Sequence, residues 1–181
     1  MAINILSESS KSHRIRQIDE QFAHYLRSTF DCSNLILTED YVQHGGTSCL
    51  MHSIAVAYYS YRLALKLRLS FHAKELITGA LLHDYCLYDW RDKDPTHRMH
   101  AFTHPRAALE NAGRELTLSP IEQDVIRKHM FPLTPIPPRY RESLLVSLLD
   151  KACCLYELCN RRAYGKLRKM RKMVLSGGAL A

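Results

Sequence analysis

The sequence predicts an all-α fold in a single domain. Three observations carry this: apolar residues recur at helical spacing along most of the chain, no run alternates with period two, and several runs open on cap and proline signals. With 181 residues, 46% of them hydrophobic and 24% charged, the chain is long enough for one sizeable core and has an ordinary globular composition. The expectation is one bundle of about six to seven helices across residues 1–181, with no internal repeat.

The elements follow in order. Residues up to about Ser12 are expected to be loosely ordered. Ile15, Ile18, Phe22, Tyr25 and Leu26 mark a helix over 14–30. Residues 31–46 read as a connector with a short helical turn, closing on Gly45-Gly46. Thr47 can cap a helix to about residue 68, with Leu50, Ile54, Ala57, Tyr58, Tyr61 and Leu65 on its apolar face. Ser70 can cap the next helix, over 71–84. Residues 89–102 carry charges, Pro95, His97 and His100, too polar for core, and read as a loop over a site.

Pro105 suits the first position of a helix over 104–116. Ser119-Pro120-Ile121-Glu122 combines a cap, an N1 proline and a capping-box glutamate, opening a helix that ends near His129. Pro132, Pro135, Pro137 and Pro138 impose a non-helical connector. A last core helix is expected over 141–161, with Leu144, Leu145, Leu148, Leu149, Ala152 and Leu155 as its apolar positions. The tail is expected to stay helical to about 174, until Gly177-Gly178.

Charge is unevenly placed. The net +7 belongs to Arg161, Arg162, Lys166, Arg168, Lys169, Arg171 and Lys172; the other 18 basic residues match the 18 acidic ones. This basic tail, within about 158–176, reads as a solvated helical extension. Nucleic acid binding through it is a less favoured expectation. The longest charge-free stretch, 41–61, contains Gln43, His44, Gly45, Gly46 and His52, so no membrane span and no membrane partner are expected. No secretory leader pattern opens the chain, and the cytoplasm is the expected location. The six cysteines contain no Cys-x-x-Cys pair and read as small core residues, including Cys86 near the polar pair described next.

Several polar residues stand where apolar ones would be expected. His83-Asp84 closes the run from Leu76 to Leu82, and Asp150 interrupts a leucine-rich helix. A buried carboxylate there needs a cation or a metal. Lys151 is adjacent to Asp150 and is expected to point to another side of the helix, unable to neutralise it directly. His52 lies on a core-facing helix, and His104 and His129 sit at helix ends.

The order His52, His83-Asp84, His104, His129, Asp150 resembles the HD-domain superfamily of metal-dependent phosphohydrolases, over about residues 41–157. By that resemblance His52, His83, Asp84 and Asp150 are ligands of a first metal. His104 and His129 resemble the extra histidines of dinuclear members, with Asp84 bridging two ions, and His97 or His100 could complete the second set. The donor set suits one or two ions of Mn, Fe, Co, Ni or Zn better than Ca or Mg. The Gly-Tyr-Pro signature of the cyclic-di-GMP hydrolysing group is missing after His129, where Met130-Phe131-Pro132 stands. The resemblance is closer to small stand-alone members.

The implied activity is hydrolysis of a phosphomonoester or phosphodiester in a small phosphorylated metabolite by metal-activated hydroxide. Asp84 and Asp89 are the catalytic candidates, Asp89 as general acid or water-orienting group. Lys151, Arg106, His44 and His100 are substrate-binding candidates. Tyr88, Trp90 and Phe102 can stack on a base, which makes a nucleotide the expected substrate. The same ligand set also resembles di-iron oxygenases of this fold, and a non-catalytic metal-stabilised regulatory module is the reading from another class. A homodimer is left open.

Overall fold

The computed structural model describes residues 2–88, 100–160 and 163–176. Among these residues the regular elements are helices apart from one small hairpin, as expected for an all-α chain. The elements are α1 (Ala2–Asp31), a 3-10 turn (Leu35–Asp40), β1 (Val42–His44), β2 (Thr47–Ser48), α2 (Cys49–Lys66), α3 (Ala73–Leu81), α4 (His100–Glu115), α5 (Pro120–Lys128), α6 (Arg141–Cys159) and α7 (Gly165–Leu175).

Helix α2 is the central element. It is buried on nearly every face and packs against α3, α6, α1 and α7. Ser48, not Thr47, caps it, accepting from the Met51 amide. Thr47 is drawn into β2 instead, paired with His44. The helix stops at Lys66, two residues early, because Arg68 turns left-handed at φ 53°. The Leu69 amide then reaches the Ala64 carbonyl and the Arg68 amide the Leu65 carbonyl, a Schellman ending built without glycine.

Helix α3 starts at Ala73, and Ser70 does not cap it. Its N-cap is His72, whose amide and Nδ1 both meet the buried Glu142 carboxylate of α6. The helix ends at Leu81, so His83 and Asp84 lie in the turn beyond rather than within it. Gly79 lets α3 lie close to α5: a Cβ there would come 2.9 Å from the Cβ of Val125.

The capping box at Ser119 and Glu122 forms as expected. In the middle of α5, buried Asp124 accepts from the Arg139 and Tyr140 amides and the Ser143 hydroxyl, and pairs with Lys128. This knot sets where α6 begins, and therefore where Asp150 falls along it.

Four further expectations are corrected. The chain is already helical from Ala2, so residues up to Ser12 are not loose. Helix α4 begins at His100, one turn early, which places Pro105 inside the helix, where its missing N–H removes a backbone bond. The tail forms a separate helix after Tyr164, which adopts φ 67°. It is not a solvated extension: Leu167, Met170 and Val174 are buried and α7 packs on α1 and α2. Lys166 pairs with Asp19 and Arg171 with Glu39. Finally, Leu144, Leu148 and Leu155 are not core; each is more than half exposed. No helix among the described residues is long and apolar enough to cross a membrane.

Candidate metal centre

The buried face of α6 carries Ser143, Ser147, Asp150 and Glu157. Asp150 faces α2 there, and its Oδ1 lies 3.1 Å from His52 Nε2. The other nitrogen of that ring, Nδ1, is 3.0 Å from each oxygen of Glu157, which is fully buried. A carboxylate only accepts, so Nδ1 carries the hydrogen and Nε2 is turned toward Asp150.

The same orientation recurs at two other histidines. His83 Nδ1 donates to the Ala80 carbonyl at 2.7 Å, and His129 Nδ1 donates to the Ile126 carbonyl at 2.8 Å. Each is a ring folding back on its own preceding turn. Their Nε2 atoms therefore point to one centre, and His104 Nε2 joins them, 2.8 Å from His129 Nε2. A fixed Nδ1 donor with Nε2 turned inward is how proteins present imidazole to a metal.

Asp84 occupies the middle. Its Oδ2 faces His83 Nε2 at 3.3 Å and His52 Nε2 at 4.0 Å. Its Oδ1 faces His104 Nε2 at 3.2 Å and His129 Nε2 at 3.4 Å. Gln43 of β1 donates to Oδ2 at 2.6 Å and fixes the carboxylate plane. The hairpin that carries Gln43 turns on Gly45 and Gly46, both with positive φ. At Gly45 a Cβ would meet the Glu157 carbonyl oxygen at 2.1 Å, so only glycine lets the hairpin rest on the end of α6.

Among the described residues, two sets of ligand atoms lie close enough to hold a cation: His52 with His83 and Asp150, and His83 with Asp84 and His129. A physical test supports the fit. His83 Nε2 and Asp84 Oδ1 are buried and have no hydrogen-bond partner among the described residues. Buried polar atoms left without hydrogen bonds are costly unless a cation lies among them. Without metal, protons do that work. Burial alone would lower His52 and His83, but the carboxylates outweigh it: Asp150 and Glu157 raise His52 to about 9, and Asp84 and Asp150 raise His83 to about 10. In the same way burial would raise Asp84 and Asp150, yet the surrounding histidines hold both well below the usual carboxylate range. Burial lowers His129, in keeping with a neutral donor.

All six ligand candidates, His52, His83, Asp84, His104, His129 and Asp150, are thus brought together. Of the substrate-binding candidates, Lys151 lies at this cluster and Arg106 does not. Lys151 does curl back onto Asp150, its Nζ 3.1 Å from Oδ2 and also bonded to the His129 carbonyl. Its long stem overcomes the divergence expected of adjacent helix residues. Arg106 points outward and pairs with Glu110. Asp89 lies outside the described residues, as do Trp90 and His97, and the side chains of His44 and His100 are likewise not described. Cys86 is a core residue, and burial pushes its thiol up to about 12.

Sequence reasoning missed Gln43 and Glu157. Glu157 had a signal: it lies seven residues after Asp150, two helical turns along the same face. Gln43 had none beyond its place beside a glycine turn.

The HD domain family model matches residues 50–153, more than half of the chain, and the chain belongs to the HD-domain family, whose members are generally metal-dependent phosphohydrolases. The matched span contains all six ligand candidates, while Gln43 and Glu157 lie outside it. No curated protein and no solved structure matches the chain.

Proposed function

We propose that the chain hydrolyses a phosphoester in a small phosphorylated metabolite, most simply a nucleotide, at a centre of two divalent ions. The observation that supports this reading is Asp84, whose two oxygens face different histidine groups. His52, His83 and Asp150 would hold one ion on the Oδ2 side, and His104 and His129 a second on the Oδ1 side. Imidazole and carboxylate donors favour Mn, Fe, Co, Ni or Zn. Such a centre, when bound, supplies an activated water and neutralises charge at phosphorus.

The chain's own residues supply position. Gln43 holds the shared carboxylate and Glu157 holds His52. Lys151, partly exposed beside Asp150, is placed to meet a phosphate oxygen. The decisive experiment measures metal content, phosphate release from phosphorylated metabolites and oxygen uptake on one preparation. The expected result is two ions per chain, one in His104→Ala or His129→Ala, and phosphate release abolished in Asp84→Ala. Oxygen consumption without phosphate release would replace the reading with an oxygenase on the same residues.

A further inference from the structure

We propose that a cleft on the outer side of α4 and α5, distinct from the metal cluster, binds a small aromatic ligand carrying phosphate. The cleft has a volume of about 390 Å³, within the range of sites that take small molecules. It shares backbone with the metal centre. His104 and His129 turn inward to Asp84, while their chain neighbours Pro105 and Lys128 line the cleft. Successive helix residues point about 100° apart, so the same helices can serve both sites.

Its charge is one-sided. Arg106 of α4 and Arg127 and Lys128 of α5 all line it, and no acidic residue does so among the described residues. Two of these cations are steadied by carboxylates on their own helices: Glu110 holds Arg106 Nε at 2.8 Å, and Asp124 holds Lys128 Nζ at 2.6 Å. The terminal nitrogens of Arg106 are left for another acceptor, and Arg127 has no ion pair among the described residues. The three cations line one cleft, and a phosphate, with several acceptor oxygens, can meet them through charge-assisted bonds.

Apart from Thr134, the rest of the described lining is apolar. Phe102 is 49% exposed and Ile136 59% exposed, with Pro105 beside them. Exposed apolar side chains gathered in a cleft mark a surface that another molecule covers. A flat ring against Phe102 and Ile136, with phosphate on the arginines and a polar edge toward the Thr134 hydroxyl, satisfies each wall.

The inference does not rest on hydrolysis, and its test separates the two. The full chain as purified is titrated calorimetrically with AMP, GMP, CMP and UMP, and with adenosine and inorganic phosphate as separate arms. Phosphate release is followed in parallel. At least one nucleotide is expected to bind at least tenfold more tightly than either half. Arg127→Ala should weaken it at least tenfold with metal content unchanged, and Phe102→Ala should weaken the nucleotide but not inorganic phosphate. Binding that is not hydrolysed keeps the cleft and counts against the hydrolase. No nucleotide binding at millimolar concentration, or binding indifferent to both substitutions, overturns the cleft even if phosphate release persists.

Discussion

Glu157 holds His52 from behind with both oxygens of its carboxylate, each 3.0 Å from Nδ1. The ring is thereby held with Nδ1 as a donor to Glu157 and Nε2 facing Asp150 and Asp84. Carboxylates placed behind metal-binding histidines raise the basicity of the ring and fix its direction.

Glu157→Gln is therefore expected to weaken metal binding by about 10–100-fold, the usual effect of removing such a partner. Titration with a divalent ion, with circular dichroism to show retained helix, checks this. Unchanged affinity would reduce Glu157 to a packing residue.

A second prediction concerns the hairpin. Gly45→Ala meets both a left-handed backbone and the Glu157 carbonyl at 2.1 Å, whereas Gly46→Ala meets only the backbone cost, with nothing within 4 Å. That backbone cost is about 1–3 kcal/mol at either position. Thermal melts should show Gly45→Ala losing clearly more than Gly46→Ala. Equal losses would mean the hairpin does not press on α6.

The legibility of the site had a physical cause. The ligand candidates stood out because His52, His83, Asp84 and Asp150 interrupt apolar runs, and an isolated charge in an apolar run demands an explanation. Helix α6 misled for the same reason read in reverse. Its inner face is rich in Glu142, Ser143, Ser147, Asp150 and Glu157, while Leu144, Leu148 and Leu155 face out. Periodicity assigns leucines to the core, and a helix that serves a polar centre inverts that rule. The hairpin was hidden because two strands of three and two residues are too short to show alternation. The early start of α4 was masked by Pro105, which marks a helix start far more often than a helix interior.

The pH dependence of stability has a defined sign at Asp124. Burial alone would raise this carboxyl, but bonds from Lys128, Ser143 and the amides of Arg139 and Tyr140 outweigh it and lower it. A depressed carboxyl stabilises the fold above its unfolded value, and that contribution is lost as pH falls through the folded value. Asp124→Asn should therefore be less stable at neutral pH by about 1–3 kcal/mol, the worth of hydrogen bonds to a charged group. The gap to the wild type should close below the ordinary value of 3.8. Denaturant melts from pH 7 to pH 3 measure it, and a gap constant across that range would refute the assignment.

The basic tail should behave as part of the core. Leu167→Ala is expected to destabilise the chain by about 2–5 kcal/mol, as for other buried leucines, while exposed Lys169→Ala should change little. Chemical unfolding of both variants distinguishes a docked helix from an appended one.

The hairpin tip resting on α6 has a bearing on where this domain can be cut. A fragment trimmed to 50–153 would retain every proposed ligand, yet lose Gln43, Glu157 and the glycine turn seated between them. Such a fragment keeps the donors and discards what aims them, so the working boundary of the centre is wider than the stretch that identifies the family.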